Sequence, residues 1–584
     1  MEHNNNSNDY TVVTSKDGKL ILRVNKEEKT VYLGSFYSVS RDINQLISQL
    51  GGVKPYDIII IFGIATGEYL PQLKEGLSKN NKVLIFEPDE KIFSDFLKSK
   101  NAKLITLDDK IKLFKFNSDN NSLREILNFE INDYELERIK FGFYANYNVI
   151  YREELGTFVE GLKQTISGGY VDRVTNLVHS KTWFNCFLKN VKFMAESTPT
   201  NYLENIFKKR PAIIVSAGPS LEKNVHKLKK IQDRFVIITG GRTLRTLLNE
   251  GIRPDFLCVV DPVENTYTLV KDFLKSNIPL VFYEGSNPNV VNEHKGKKIY
   301  FTGNYFTNEI LGKEVKTLAY GGSVAHTCMG LGVHLGCDPI IFMGQDFAFT
   351  NEKLHANNAT HKEEKNDIED IEDSIFVDDV FGNKVRTNPT YNEFRIKMES
   401  LIQVFSNITY INATEGGANI KGTKVMSLDE VASSIEKNEF SKNIDEYLVK
   451  NEDVDLEKII NKFNETLECM MNIKKDCKKA IDLSEKLNDY FEKGNKVDII
   501  KINNKLDKID DNLNKAFEEF AFVDFLLYPT TQYVLGNDKF LILPDDSDKV
   551  AGKKIALRVK ALYEGILNVI EEAVPLINKY VFNK

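Results

Sequence analysis

Residues 213–222 read IIVSAGPSLE, and this stretch decides how the centre of the chain folds. The apolar run Ile213–Val215 has the composition of a buried strand and ends abruptly in the turn SAGPS. A helical pattern follows from Leu221, so the stretch predicts a strand, a tight turn and a helix. Two interpretations of the turn are open. Gly218 takes an unusual backbone angle and Ser220 caps the helix, or the free N–H groups of the turn bind a phosphate.

Short apolar runs continue to alternate with helical patterns beyond this turn, which predicts a parallel, doubly wound sheet of the Rossmann-like type. The predicted strands are 212–216, 235–239, 256–260, 279–283, 298–302 and 339–343. The predicted helices are 221–231, 243–250, 266–275 and 323–336. The polar, highly charged segment 350–375 interrupts the alternation and is interpreted as a mobile loop or lid.

A second α/β pattern lies nearer the N-terminus. Residues 19–23 and 30–34 predict a β-hairpin, and YDIIIIFGIATGEYL followed by NKVLIFEPDEKIF repeats the strand–helix alternation. The turn Gly63–Gly67 and Glu87 resemble the nucleoside-binding corner of methyltransferase-like folds, although the missing middle glycine favours an ordinary structural turn. Long helical patterns dominate after 428. We therefore predict an N-terminal α/β domain (1–175), a central Rossmann-like domain (176–427) and a C-terminal α-helical domain (428–584).

The composition narrows the class of partner and the compartment. The 584 residues include 77 basic and 84 acidic side chains, and the net charge of −7 argues against a nucleic-acid partner. Six cysteines form no C-x-x-C pair, which is typical of reduced thiols in a cytosolic protein. The polar N-terminus resembles no signal peptide, and the apolar runs are too short to span a bilayer. A cytoplasmic protein without a membrane partner is expected.

Small and polar residues follow the predicted strands, where ligands bind to open parallel sheets. The candidates for a nucleotide site are Gly218, Pro219, Ser220, Gly240, Gly241, Asp261, Gln345 and Asp346, together with Gly321, Gly322 and Ser323 before the helix at 323–336. The last three repeat the first turn, with a hydroxyl at a helix start that suits an anion. Asp261 or Asp346 could bind ribose or sugar hydroxyls. No Walker motif and no dense His/Cys cluster is present, so no metal site is predicted.

The histidines divide into two groups by their surroundings. His326 and His334 lie on an apolar helix and are interpreted as packed structural residues. His355 and His361 lie on the loop after Asp346, where a base that meets an incoming acceptor belongs. A solvated loop histidine is the alternative for both.

Four stretches together resemble the motility accessory factor family: RPAIIVSAGPSL, GIRPDFLCVVDP, AYGGSVAHTCMGLGVHLGCDPIIFMGQDFAFTNEKLHA and YINATEGGANIKG. The resemblance is strongest from about 175 to 430, and YLGSFYSVSRD near residue 32 is similar to the family's N-terminal domain. The family consists of bacterial flagellin glycosyltransferases that transfer nonulosonic acids such as pseudaminic or legionaminic acid. Its central domain is similar to bacterial sialyltransferases that use CMP-activated sugars.

The resemblance implies a function and a role for each motif. Gly218-Pro219-Ser220 and Gly321-Gly322-Ser323 would hold the nucleotide phosphate, and His355 would be the catalytic base. Ala217 stands where the sialyltransferase turn often has asparagine, which leaves that contact in doubt. The donor would be a CMP-nonulosonic acid, no cofactor would be required, and flagellin would be the protein partner. Two alternatives stay open: an enzyme similar to pterin pyrophosphokinases that uses ATP and magnesium, and a non-catalytic flagellin-binding accessory protein.

Overall fold

Two parallel sheets, each built from buried apolar runs, organise the chain into two compact units. The computed structural model describes residues 10–26, 29–318, 322–359, 374–436, 440–448, 454–495, 497–519 and 521–582. The first unit contains Met1–Thr175, Asn488–Asn495 and Thr531–Arg558, and the second contains Asn176–Leu487, Lys496–Thr530 and Val559–Lys584. The C-terminal helices thus contribute to both units, and the domain boundary at 428 stays a prediction.

The first unit combines an antiparallel and a parallel sheet. The antiparallel sheet has the order β1-β2-β3, and the parallel sheet has the order β6-β5-β4-β7. The strands are β1 (Tyr10–Thr14), β2 (Leu20–Lys26), β3 (Lys29–Leu33), β4 (Ile58–Phe62), β5 (Lys82–Glu87), β6 (Ile111–Lys115) and β7 (Ile139–Phe143). Every residue of β4 is buried, as expected for a central parallel strand that is covered on both faces. The predicted hairpin is confirmed by the antiparallel pairing of β2 with β3.

Helices connect and cover these strands. Their bounds are Val39–Gln49, Leu70–Glu75, Glu90–Leu97, Lys103–Thr106, Asn120–Glu130, Tyr147–Ile150 and Arg152–Ala195, the last of which continues into the second unit. The helix Glu90–Leu97 begins at Asp89, whose carboxylate accepts hydrogen bonds from the N–H groups of Lys91 and Ile92. This cap satisfies two of the free amide groups of the first turn.

The corner that resembled a nucleoside site is filled by the protein itself. The side chain of Glu87 is fully buried and accepts hydrogen bonds from the N–H of Ile64 (2.9 Å), the N–H of Asp89 (2.9 Å) and the Tyr147 hydroxyl (2.6 Å). Burial raises the pKa of Glu87 to about 7. A β-carbon on Gly63 would lie 2.5 Å from the Tyr147 ring, so the tyrosine occupies the space beside the glycine turn. The interpretation of Gly63–Gly67 as a structural turn agrees with this packing.

The second unit is built on a nine-stranded sheet in which all recorded strand pairs are parallel. The order is β18-β17-β14-β9-β10-β11-β12-β13-β8. The strands are β8 (Thr198–Pro199), β9 (Ala212–Val215), β10 (Val236–Gly240), β11 (Phe256–Cys258), β12 (Leu280–Phe282), β13 (Lys298–Tyr300), β14 (Ile340–Met343), β17 (Tyr410–Asn412) and β18 (Lys424–Val425). An antiparallel hairpin of β15 (Ile375–Asp378) and β16 (Lys384–Thr387) is separate from this sheet.

The chain leaves β9 in one direction toward β10 and later returns to place β14 on the other side of β9. The ends of β9 and β14 therefore mark the switch point of the sheet, where a crevice forms in doubly wound folds. The surrounding α-helices are Val225–Leu228, Gly241–Asn249, Glu264–Val270, Pro288–Glu293, Tyr305–Leu311, Val324–His334, Pro389–Val404 and Leu428–Ser434.

In the part of the region after 455 that the structure describes, four α-helices follow, as the sequence predicts: Leu456–Lys493, Ile499–Glu519, Asp524–Gly536 and Asp548–Tyr580. Among the described residues, no helix combines the length and apolarity needed to cross a membrane.

The mixed α/β architecture and six predicted strands of the central sheet are confirmed, whereas the first turn differs from its prediction. The helix predicted over 221–231 is replaced by a 3-10 helix at Pro219–Lys223 and a short helix at Val225–Leu228. The φ angle of Gly218 is −62°, so the expectation of an unusual backbone angle there is wrong. The central part of the loop predicted at 350–375, residues 360–373, lies outside the described residues, and so does His361.

The filled corner predicts a local cost for adding a methyl group at Gly63. Gly63 and Gly18 both have positive φ angles (99° and 82°), but only Gly63 is crowded, since nothing lies within 4 Å of a β-carbon on Gly18. Gly18→Ala should cost about 1 kcal/mol for the left-handed backbone. Gly63→Ala should cost about 1–3 kcal/mol more, because the buried Tyr147 ring must move. Hydrogen exchange of β4 and β5 amides measures the difference, and equal protection in both variants would contradict the packing argument.

Candidate functional site

A cavity of about 290 Å³ opens where β9, β10, β11 and β14 end. Eight of the residues predicted from sequence line it: Gly218, Gly240, Gly241, Asp261, Ser323, Gln345, Asp346 and His355. They come from four strand ends, one helix start and one loop, so the sheet topology brings together residues that are up to 137 positions apart in the chain (218 to 355). The location matches the crevice expected beyond the carboxyl ends of parallel strands.

Close backbone approach explains the glycine at position 218. The N–H of Gly218 donates to the carbonyl of Gly344 (2.8 Å), which joins the ends of β9 and β14. A β-carbon at 218 would lie 2.2 Å from an oxygen of Asp346 and 2.5 Å from the Gly344 carbonyl oxygen. Glycine is therefore required here for space and not for its backbone angle.

Ser220 does not line the cavity, although the sequence suggested a phosphate contact or a helix cap. Its side chain is fully buried, its hydroxyl donates to Asp346 Oδ1 (2.5 Å), and its N–H donates to Oδ2 (3.0 Å). Ser220 therefore acts on the cavity through the orientation of Asp346. Pro219 is also buried and occupies the first position of the 3-10 helix, where its missing N–H costs nothing.

Asp346 is almost fully buried and is contacted by Ser220, Gly417 and Ala418. Burial raises the pKa of its carboxyl, while the two hydrogen bonds from Ser220 act in the opposite direction. The N–H of Ala418 donates to its carbonyl (2.7 Å), and a β-carbon on Gly417, whose φ is 78°, would lie 2.4 Å from its Cα. The glycine pair in YINATEGGANIKG thus allows the chain after β17 to pack directly on Asp346.

Two helices begin at the cavity, and glycines bring their first turns together. The helix Gly241–Asn249 follows β10 without a loop, and a β-carbon on Gly240 would lie 2.7 Å from Val324, at the start of the helix Val324–His334. Ser323 caps that second helix, since its hydroxyl oxygen accepts from the N–H of Ala325 (3.4 Å). The positive dipole ends of both helices lie at the cavity, which creates a potential suited to an anion.

The other two residues of the second predicted turn have different outcomes. Gly321 lies outside the described residues. Gly322 does not belong to the cavity lining; its φ is 78°, and a β-carbon there would lie 2.9 Å from the Phe394 ring.

His326 is a structural residue, as the sequence predicted. It is fully buried, its Nδ1 accepts from the N–H of Ser323 (3.3 Å), and its Nε2 lies 2.8 Å from the Phe394 carbonyl oxygen. Since Nδ1 accepts, Nε2 carries the proton and donates to that carbonyl. Burial lowers the pKa of His326 to about 4, so the ring is neutral at physiological pH. His334 is similarly occupied, because its Nε2 lies 2.7 Å from the Thr200 carbonyl oxygen.

His355 lines the cavity from a segment that is attached to the first turn. The N–H of the next residue, Ala356, donates to the carbonyl of Ala217 (3.0 Å), and the N–H of Asn357 donates to the carboxylate of Glu222. The histidine side chain is half-buried. Ala217 thus holds the His355 segment through its backbone carbonyl oxygen.

Asp261 and Gln345 provide polar groups on the walls. Asp261 is solvent-accessible at the end of β11 but lies deep among surrounding protein atoms, which raises the pKa of its carboxyl. Gln345 is buried, and its side-chain oxygen accepts a hydrogen bond from the Ser216 hydroxyl (2.6 Å). No group of three or more His, Cys, Asp or Glu side chains that could hold a metal occurs in the described part of the chain.

Some lining residues had no predicted role. Arg242 follows the glycines after β10, and this position at a strand end could have predicted that it lines the cavity. Tyr391 and Phe394 come from the helix Pro389–Val404, which no sequence motif connects to the cavity.

Phe347 has a φ of 47°, and Asn351 and Glu352 also have positive φ angles. Such backbone strain in non-glycine residues is often found at functional sites.

Three comparisons show which known proteins this chain is similar to. Residues 185–352, less than a third of the chain, match the family described as 6-hydroxymethylpterin diphosphokinase MptE-like. An uncharacterised protein of Treponema pallidum (strain Nichols) is 33% identical over 87 residues, which is 15% of this chain and 40% of the length of that relative. The structure of a MAf glycosyltransferase from Magnetospirillum magneticum AMB-1 aligns with a TM-score of 0.53 and 15% identity, over 98% of this chain and 92% of that chain. The two chains share a fold.

The neutral state of His326 predicts a pH dependence of stability. An unfolded histidine binds a proton near pH 6.5 and the folded one near pH 4, so the unfolded state takes up more protons in this window and stability falls as the pH is lowered. The loss from this group between about pH 7.5 and about pH 5 should be about 2 kcal/mol.

His326→Gln should remove that contribution, since glutamine retains a capping box with Ser323 and does not titrate. Urea unfolding at both pH values measures it, with the exposed His226→Gln as the control. A wild-type pH dependence that His326→Gln leaves unchanged would contradict the assignment.

Proposed function

We propose that this chain is a glycosyltransferase that moves a nonulosonic acid, of the pseudaminic or legionaminic type, from a CMP-activated donor to serine or threonine of flagellin. The observation that carries the proposal is the meeting, in one cavity at the switch point, of the Gly218 turn, the helix start at Ser323 and His355. The fold shared with a MAf glycosyltransferase and the motif resemblance support the same function. The sugar type and the flagellin target come from the resemblance.

The nucleotide phosphate would lie between the two helix starts. The backbone N–H groups at the start of the helix Gly241–Asn249 would donate to its oxygens, and the Ser323 hydroxyl can donate as well while its oxygen accepts from Ala325. The carboxyl of Asp261, accessible at the end of β11, would hydrogen-bond ribose hydroxyls. As the sugar leaves, negative charge develops on the CMP phosphate, and these preorganised donors stabilise it.

His355 would act as the general base toward the acceptor. Its ring nitrogen takes the proton from the serine or threonine hydroxyl while the hydroxyl oxygen attacks the anomeric carbon. The bond between that carbon and the phosphate oxygen breaks, CMP leaves with the electron pair, and the configuration at the anomeric carbon inverts. The hydrogen bond from the N–H of Ala356 to the carbonyl of Ala217 fixes the histidine segment against the Gly218 turn at the edge of the cavity. Base and leaving group are thereby positioned in one cavity.

A second candidate function is a pyrophosphokinase that acts on a pterin. The match of residues 185–352 to a family of that description favours it, and the same strand-end turns could hold ATP with magnesium. A flagellin-binding protein without catalysis is the third. For the glycosyltransferase, we propose that no cofactor or metal is required, that flagellin docks on the helical region beyond about 430, and that the reaction takes place in the cytoplasm.

Calorimetry distinguishes the two nucleotide enzymes. Full-length protein should bind CMP or a CMP-linked nonulosonic acid without added metal, because helix-start amides and the Ser323 hydroxyl would provide the phosphate contacts. Binding of ATP with magnesium should be weak or absent. Tight, magnesium-dependent ATP binding together with no CMP binding would replace the proposal with the pyrophosphokinase. CMP-sugar binding and flagellin binding without any turnover would favour the accessory protein.

His355→Ala tests the catalytic base. The variant should glycosylate flagellin about 100-fold more slowly, the usual range for removal of a general base, and its CMP affinity should be unchanged. The wild-type rate should fall at acid pH as the base becomes protonated, and the variant should lose this dependence. Intact-mass spectrometry of flagellin after reaction with the CMP-sugar measures the rate. His226→Ala, at an exposed histidine outside the cavity, is the matched control. A normal rate in His355→Ala would exclude His355 as the base and leave the nucleotide site intact.

A further inference from the structure

Arg242 provides the cavity with a fixed positive charge. Among the described residues that line it, Arg242 is the only lysine or arginine, and it faces a space that Asp261 and Asp346 also border. Across the sheet, the strand order places Arg242, at the end of β10, between the Gly218 turn after β9 and Asp261 after β11. A guanidinium stays protonated across the physiological pH range, so Arg242 favours an anionic ligand in this cavity.

The position of Arg242 relative to the His355 segment indicates which anion it meets. Arg242 and Thr246 are four residues apart on the helix Gly241–Asn249 and therefore share a face. The Thr246 hydroxyl donates to the side-chain oxygen of Asn358, three residues after His355. The helix that carries Arg242 thus packs against the segment that carries His355. A group bound by Arg242 is expected near the histidine.

A CMP-linked nonulosonic acid has two anionic groups: the phosphate and the carboxylate on the anomeric carbon. The attacked carbon must lie next to the base, so its carboxylate lies on the His355 side of the cavity. We propose that Arg242 binds this carboxylate and thereby restricts the donor to CMP-sugars that carry one. This inference rests on the proposed function and adds to it the residue that selects the acidic sugar. The planar guanidinium matches a carboxylate with two parallel hydrogen bonds, which lysine cannot reproduce.

The test compares the affinities of Arg242→Gln for two ligands, CMP and a CMP-linked legionaminic or pseudaminic acid. CMP affinity should stay within about twofold of wild type, because CMP lacks the sugar carboxylate. Affinity for the CMP-sugar should fall by about 10- to 100-fold, the range for losing a hydrogen-bonded charge pair. Arg242→Lys should recover part of the loss. Retained CMP binding also shows that the variants are folded.

Arg245→Gln is the matched control, since Arg245 lies on the same helix, pairs with Asp272 (2.7 Å) and does not line the cavity. It should bind both ligands like wild type. Wild-type affinity of Arg242→Gln for the CMP-sugar, or an equal loss for CMP and the CMP-sugar, would overturn the assignment of Arg242 alone. A wild-type protein that binds neither ligand would overturn the proposed function and this inference together.

Discussion

The buried carboxylate of Asp346 is the interaction on which the site depends. A carboxylate is tolerated in a protein interior only when donors surround it, and here the hydroxyl and the N–H of Ser220, on the opposite side of the switch point, donate to it. The contact ties the end of β14 to the turn after β9 and leaves no room for a side chain at Gly218. The absence of a side chain at Gly218 and the close packing of Gly417 both follow from the position of Asp346. Ser220 and Gly417, which do not line the cavity, therefore hold Asp346, which does.

His326 and His355 illustrate how the surroundings of a histidine decide its chemistry. His326 has both ring nitrogens occupied by backbone groups and is buried, so it stays neutral and stabilises a helix start. His355 belongs to a segment attached at the cavity rim, where it can meet a second substrate. The same residue type thus serves folding at one position and is proposed to serve proton transfer at the other. Arg242 and Arg245 show a parallel division, because one lines the cavity and the other pairs with Asp272 on the outside.

Local pattern predicted much of this fold, because buried parallel strands are continuous apolar runs bounded by glycine, proline and serine. The six strands from β9 to β14 and the strand-end residues of the cavity were predictable for this reason. The two-residue strands β8 and β18 were too short to give a pattern, and the three-residue strand β17 was not predicted. Partners distant in sequence were also out of reach: the pairing of Ser220 with Asp346 and the approach of Tyr391 are consequences of tertiary packing. The sequence places Arg242 at a strand end, but only the structure shows that it lines the cavity.

Because Tyr147 fills the corner of the first unit, the stability of that corner does not depend on the concentration of a ligand. A domain that binds a metabolite gains stability in proportion to the logarithm of the metabolite's concentration, and it loses that stability when the metabolite is scarce. Tyr147 is covalently part of the chain, so the occupant of this corner cannot dissociate or be depleted. The stability that its hydrogen bonds to Glu87 and Ala65 provide is therefore the same in a starved cell as in a growing one.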